Sequence, residues 1–214
     1  MKKVFILFFV VACITFCMNE AFGQQANGIN KLLCFQGTGD GYGDNGTCNI
    51  TNNAASKMSA VLNTIDNDTN PYNNYAGVYS DNKFIYGKGL SALSSLRFSY
   101  SGTSPYGGAP RFAIPFDGNG DGKTDLAIPN VAGTEEYVVA AAADCNDGAG
   151  NVNLSLPTCK FYHNTFGGPY VGLSQLTAAF PNAKIAKDNY VFIVADAPGL
   201  WTISNVSFGA PGNN

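Results

Sequence analysis

The chain has 214 residues, and its 12 Lys and Arg set against 15 Asp and Glu give a formal net charge of −3. Only 13% of residues are charged and no basic run is present, which excludes the electrostatic footprint of a nucleic-acid-binding protein. The N-terminus, MKKVFILFFVVACITFCMNEAFGQQ, places Lys2 and Lys3 before an apolar run from Val4 to about Phe16, with small residues following. This is the layout of a signal peptide spanning 1–23, cleaved after Ala21-Phe22-Gly23. The run is shorter than the roughly 20 residues that a bilayer span needs, so no transmembrane segment is expected once it is removed. Lys2, Lys3 and Glu20 would leave with it, so 10 basic and 14 acidic residues remain. About 190 residues are then left, enough for one domain with a substantial core.

Four cysteines lie beyond the signal: Cys34, Cys48, Cys145 and Cys159. An even count in an exported chain implies disulfides, and four cysteines allow three pairings. The local pairs Cys34–Cys48 and Cys145–Cys159 are favoured, each stapling one loop. Zinc is the alternative, but there is neither CxxC spacing nor a histidine-rich neighbourhood. Residues 37–53, GTGDGYGDNGTCNITNN, read as a polar loop. From Ala54 to Ile65, Met58, Val61, Leu62 and Ile65 fall at helical spacing, with Asn52 or Asn53 as cap. The segment 24–75 is therefore expected to be loop-rich, with a short helix packed on a main domain at 76–214.

In that main domain short apolar segments are bounded by Gly, Pro, Asn and Asp. Lys83–Tyr86, Leu96–Tyr100, Arg111–Ile114, Tyr137–Ala140, Tyr190–Val194 and Trp201–Phe208 read as strands. In the last, Trp201 and Ile203 fall out of phase with Phe208, which predicts a bulge or bend near Ser204. Leu173, Leu176 and Phe180 share a helical face that Pro181 ends. The expected fold is mainly β: a jelly-roll-like β-sandwich with one or two short helices. The chain shows no internal repeat, which argues against propellers and solenoids.

The stretch DGNGDGKTD, 117–125, carries the strongest chemical signal. Asp117, Asn119, Asp121 and Asp125 offer side-chain oxygens at near-alternate positions, Gly122 permits a sharp turn, and Lys123 can supply its carbonyl. Hard oxygen donors on a flexible loop suit Ca²⁺. The twelfth position is Ile128 rather than the bidentate Glu of a helix-loop-helix site, and the flanks read as strands, so this is not an EF-hand. A solvated Asn/Asp/Gly turn needs no metal, but it would leave three acids repelling one another, with Lys123 the one basic residue inside. Glu135, Glu136 or another loop would complete the coordination. FDGNGDGKTDLAI resembles the calcium loops of FG-GAP-type repeats and, more distantly, of dockerins. That resemblance covers about 13 residues and implies the ion and its ligands, not the fold.

A catalytic triad would have to use His163, the chain's one histidine, and the GxSxG turn is absent. A lone histidine beside aromatics reads as structural. Glu135 and Glu136 are adjacent, so on a strand they face opposite sides and cannot straddle a glycosidic bond. Binding remains. YVFIVADAPGLWTISNVSFG resembles the closing strands of secreted jelly-roll carbohydrate-binding modules, many of which hold a structural calcium. The resemblance implies sugar stacking by exposed aromatics, for which Tyr106, Tyr162 and Tyr170 are the candidates. Trp201 reads as core. The reading is a secreted, calcium-stabilised, disulfide-bonded domain that binds glycan or a cell-surface component without catalysis. A structural or adhesive surface protein without a small-molecule site is the alternative, and a secreted hydrolase is the third.

Overall fold

Alternation at the start of Leu96–Gly102 buries Leu96 and Phe98 and leaves Arg97 exposed. Such half-buried strands can only be satisfied by packing one sheet face against another. A computed structural model gives the arrangement and describes residues 31–36, 46–53, 58–65, 75–80, 84–105 and 107–209. The expected signal peptide, the 37–45 part of the polar loop and Tyr106 lie outside the described residues.

Two antiparallel sheets form a β-sandwich. The larger runs, in spatial order, β1 (Leu32–Gln36), β4 (Ala76–Ser80), β12 (Phe192–Ala195), β6 (Arg111–Asp117), β7 (Tyr137–Ala141), β9 (Lys160–His163) and β10 (Gly167–Val171), with β11 (Lys184–Ile185) paired to the end of β6. The smaller runs β2 (Thr47–Asn52), β3 (Ser59–Asn63), β13 (Leu200–Phe208), β5 (Leu96–Gly102) and β8 (Asn151–Asn153). A 3₁₀ turn (Leu90–Ser95), α1 (Ala142–Cys145) and α2 (Gly172–Ala179) fill the ends. No helix among the described residues is long and apolar enough to cross a membrane.

Between the sheets lies the main core. Phe112 of β6 meets Phe98 of β5 edge-on at 5.1 Å and Phe208 of β13 at 6.3 Å, locking one sheet to the other. Trp201 is fully buried in this layer, as expected. The two outer faces differ sharply. The small sheet presents Asn49, Thr202, Ser99 and Asn151 to solvent, with the Ser99 hydroxyl donating to Asn151 Oδ1 at 2.7 Å. The large sheet instead carries a second apolar cluster, built on Phe35, Tyr79, Phe192 and Val194. Gly77 makes room for it, since a Cβ there would lie 2.3 Å from the Phe35 ring.

Both local disulfides form. Cys34 lies on β1 and Cys48 on β2, so the first bridge ties the two sheets together rather than only closing a loop. Each joins residues 14 apart, worth about 3 kcal/mol in the chain-entropy model.

The expected helix over 54–65 is not found where the chain is described. Ser59–Asn63 is a strand pairing both β2 and β13, with Met58, Ala60 and Leu62 turned inward and Ile65 half exposed. The segment 24–75, expected to be loop-rich with a short helix packed on the main domain, thus supplies β1, β2 and β3 to the two sheets. Nor is Phe84–Tyr86 a strand. Gly87 adopts φ 76°, and the 3₁₀ turn follows directly. Tyr190 and Val191 precede β12, the Val191 N–H donating to the Tyr86 hydroxyl at 2.8 Å. The helix expected at 173–180 is α2. The irregularity expected near Ser204 falls between Ser204 and Ser207, where Asn205 takes φ 50°.

Candidate functional site

Two regions carry the polar chemistry: the acidic loop at the end of β6, and the outer face of the large sheet beside it. β6 delivers Asp117 fully buried at the loop entrance. Its two carboxylate oxygens accept the N–H groups of Gly120 at 2.6 Å and Gly122 at 2.9 Å. Those glycines take φ 81° and 91°, a conformation L side chains rarely adopt. Asn119 accepts the Asp121 N–H and Asp121 the Lys123 N–H, both at 2.8 Å. Asp125 accepts the Gly118 N–H at 2.9 Å and the Asn119 amide at 3.2 Å. The four side-chain ligands named from sequence thus wrap one turn.

Burial raises the Asp125 carboxyl above its ordinary range. The Gly118 N–H opposes this, and the charges of Asp117 and Asp121 add to it. Asp125 therefore senses the other two acids. Among the described residues, no group of three His, Cys, Asp or Glu side chains is placed so that it could hold a metal ion. In donor chemistry the loop fits Ca²⁺, offering carboxylate, amide and carbonyl oxygens without nitrogen or sulfur. Two lysine side chains that the sequence did not link to the loop lie beside it. A Cβ on Gly120 would lie 3.7 Å from the Lys184 ammonium, and one on Gly122 would lie 3.6 Å from the Lys187 side chain.

The segment after β11 clasps this loop. The Lys187 N–H donates to the Gly122 carbonyl at 2.9 Å, and Thr124 donates both its N–H and its hydroxyl to Asp188 at 2.8 Å. The next residue, Asn189, donates to the Tyr137 hydroxyl at 2.7 Å. Loop and outer sheet face are thus joined by consecutive residues.

On that face, Phe35, Tyr75, Tyr79, Tyr137, Tyr190 and Phe192 form one aromatic array. Tyr190 lies 4.6 Å from Tyr79, and Phe192 meets Phe35 edge-on at 5.0 Å. Tyr75, Tyr137 and Tyr190 are the half-buried members. Burial pushes the Tyr137 hydroxyl well above its ordinary value, and the nearby charges of Glu135 and Asp188 add to this against the Asn189 bond. Further along the face, Arg111 makes a two-pronged ion pair with Asp196. None of this array was a candidate from sequence.

The structure separates the sequence-predicted aromatics. Tyr162 pairs with Val139 and lies on the outer face, its hydroxyl 3.4 Å from Asp144, which also holds Lys160 at 3.2 Å. Tyr170 pairs with Phe161 on the inner side and packs edge-on against Phe180 at 5.5 Å. These two cannot form one platform. Tyr162 and Tyr170 thus face opposite sides of the large sheet.

Beneath the acidic loop, Glu136 and His163 face inward. Glu135, one residue away, acts electrostatically on Tyr137 of the outer face. Both Glu136 and His163 are buried, with 3.4 Å between carboxylate and Nε2, a contact whose geometry makes no hydrogen bond. His163 Nδ1 accepts the Thr165 and Phe166 N–H groups at 3.2 and 3.0 Å, which places the ring proton on Nε2. Phe116 packs edge-on against the imidazole at 4.4 Å. Burial raises the Glu136 carboxyl, the Thr165 hydroxyl opposing and the Asp125 charge adding.

No protein-family model matches the chain, and no curated protein matches it. A native family 12 xyloglucanase from Bacillus licheniformis is structurally similar at 16% identity and a TM-score of 0.35, covering 82% of this chain and 90% of that one. A likeness of that depth carries no argument about function.

Burial lowers the His163 pKa to about 4, against about 6.5 for the unfolded chain. Between those values the unfolded chain binds a proton that the folded chain refuses, so the stability contribution held above about pH 6.5 is lost as pH falls toward 4. The stability advantage of wild type over His163→Gln, measured by urea unfolding, should therefore shrink across that window. In long-range ¹⁵N spectra His163 should stay neutral, protonated on Nε2, at pH 5.5. An advantage that grows on acidification would show that the ring is charged in the fold.

Proposed function

We propose that the protein is an exported, calcium-stabilised β-sandwich that binds glycan, as a polymer or on a cell surface, without catalysis. The observation that carries this reading is the aromatic array on the outer face of the large sheet. Phe35, Tyr79 and Phe192 are buried there and serve folding, but Tyr75, Tyr137 and Tyr190 stay only half-buried and keep ring surface at the border of the cluster. Rings with a polar handle, bordered by a few fixed hydrogen-bonding groups, are the usual lining of a small-molecule or sugar site. Tyr137 with Asn189, Tyr190, and Arg111 with Asp196 supply that mixture.

The chemistry available speaks for binding rather than turnover. The His163 imidazole is buried among phenylalanines with Nδ1 committed to two backbone N–H groups. Glu136 is buried against it, while Glu135 senses the outer face, so the two glutamates do not act on a shared substrate. Two disulfides suit an oxidising compartment outside the cytoplasm. Calcium, held by Asp117, Asn119, Asp121, Asp125 and the Lys123 carbonyl, would relieve the mutual repulsion that Asp125 registers. It would also stiffen the loop that Lys187 and Asp188 grip next to Asn189 and Tyr137.

Glycan-array and calorimetric binding test the site. Tyr190→Ala should weaken binding to the best glycan at least about tenfold, equal to about 1.4 kcal/mol. Tyr170→Ala should lower the melting temperature and leave affinity intact. No binding to any glycan, or loss only in Tyr170→Ala, would remove the reading.

The ion is tested by melting. A ligand bound only by the native state stabilises it by about 2.7 kcal/mol at a hundredfold excess over Kd. EDTA should lower the melting temperature, and millimolar Ca²⁺ should restore it better than Mg²⁺. Asp121→Ala, at an exposed position, should fold and lose that response. A wild type indifferent to calcium would reduce the loop to a turn.

A further inference from the structure

Resting on the glycan reading above, we infer that the outer face selects uncharged sugar chains, and that the Arg111–Asp196 pair sets this selectivity. Arg111 is a cation built into this face beside the array, while Lys160 lies further along it, held by Asp144 at 3.2 Å; on β6 Arg111 lies opposite Val194 of β12, one of the four buried residues of the outer cluster. Asp196 follows Val194 by two residues and so shares its side of the sheet. It takes both guanidinium nitrogens in a two-pronged pair. The Arg111 side chain is 16% exposed and that of Asp196 32% exposed, so the pair lies at the surface with its fork already filled.

A guanidinium fork is the natural receptor for a carboxylate, whether of a uronic acid or of Asp196. Here the protein's own carboxylate occupies it. Among the described residues, the charges that act on Tyr137 of the array are acidic: Glu135 and Asp188. An incoming uronate or sulfate would meet two carboxylates and a neutralised arginine, and would lose hydration without gaining a partner. An uncharged chain meets the tyrosine rings, the Asn189 amide and the outer oxygens of Asp196, which serve hydroxyl groups well. Selectivity against anionic chains thus comes from a repulsive and pre-satisfied border rather than from an added contact.

The test uses the intact secreted protein and isothermal titration calorimetry at low salt, with hydroxyethylcellulose, starch and galactomannan as neutral probes, polygalacturonate as the anionic probe and chitosan as the cationic one. Wild type should bind at least one neutral chain at least tenfold more tightly than polygalacturonate. Asp196→Asn frees the Arg111 charge and should raise polygalacturonate affinity at least fivefold, a gain that 0.5 M NaCl removes. The double variant Arg111→Gln/Asp196→Asn should show no gain, and circular dichroism and melting check that each variant folds. Wild type preferring polygalacturonate or chitosan overturns the inference even if no variant folds. So does a folded Asp196→Asn with unchanged anionic affinity. Binding to none of the five probes, together with an empty glycan array, removes the glycan reading itself, an outcome distinct from either.

Discussion

Every position of β4 is buried, and so is every position of its neighbour β12. A strand buried on both faces cannot alternate apolar with polar; it must satisfy two apolar layers at once. That constraint organises the molecule. Ala76, Val78, Ile193 and Ala195 serve the core between the sheets, while Tyr79, Phe192 and Val194 serve the outer cluster. The large sheet is therefore a middle layer. Burying a phenylalanine is worth about 1.5–3 kcal/mol, so Phe35 and Phe192 stabilise the sheet from outside while they shape the surface proposed for binding.

The acidic loop depends on the same sheet. β6 runs through both layers, its Phe112 and Ile114 pointing to the core, and ends in Asp117. The chain reverses on Asp117 because that buried carboxylate can be satisfied by the two glycine N–H groups that curl back over it. Lys187 and Asp188 then close the loop from the next strand pair, and Asn189 and Tyr190 continue onto the aromatic face. Fold, loop and surface are thus successive stretches of one hydrogen-bonded path.

Where one face of a strand meets water, the sequence was legible. Leu96–Tyr100, Arg111–Ile114 and Tyr137–Ala140 announce themselves by alternation, and even the irregularity of β13 near Ser204 follows from its broken phase. The acidic loop was legible as a unit because its glycines and acids are close in sequence. Met58 to Ile65 was misread because Met58 and Leu62 fit both a helix of period 3.6 and a strand of period 2. Ala60, too small to count as a core signal, decides for the strand, as do partners on β2 and β13 that no local pattern contains. The outer array was invisible for a related reason. Phe35, Tyr79, Tyr137 and Phe192 come from four strands far apart in sequence, and the doubly buried strands that carry two of them show no period. Lys184 and Lys187 reach the acidic loop only through the pairing of β11 with β6.

The central claim is that the second, outward apolar layer of the large sheet is a binding surface and not only a second core. Backbone chemical-shift mapping during titration with a neutral oligosaccharide addresses it directly. Perturbations should concentrate on β4, β12, β6 and β7 and on Tyr137, Asn189 and Tyr190. Perturbations confined to Asn49, Ser99 and Thr202 on the outer face of the small sheet would contradict the claim.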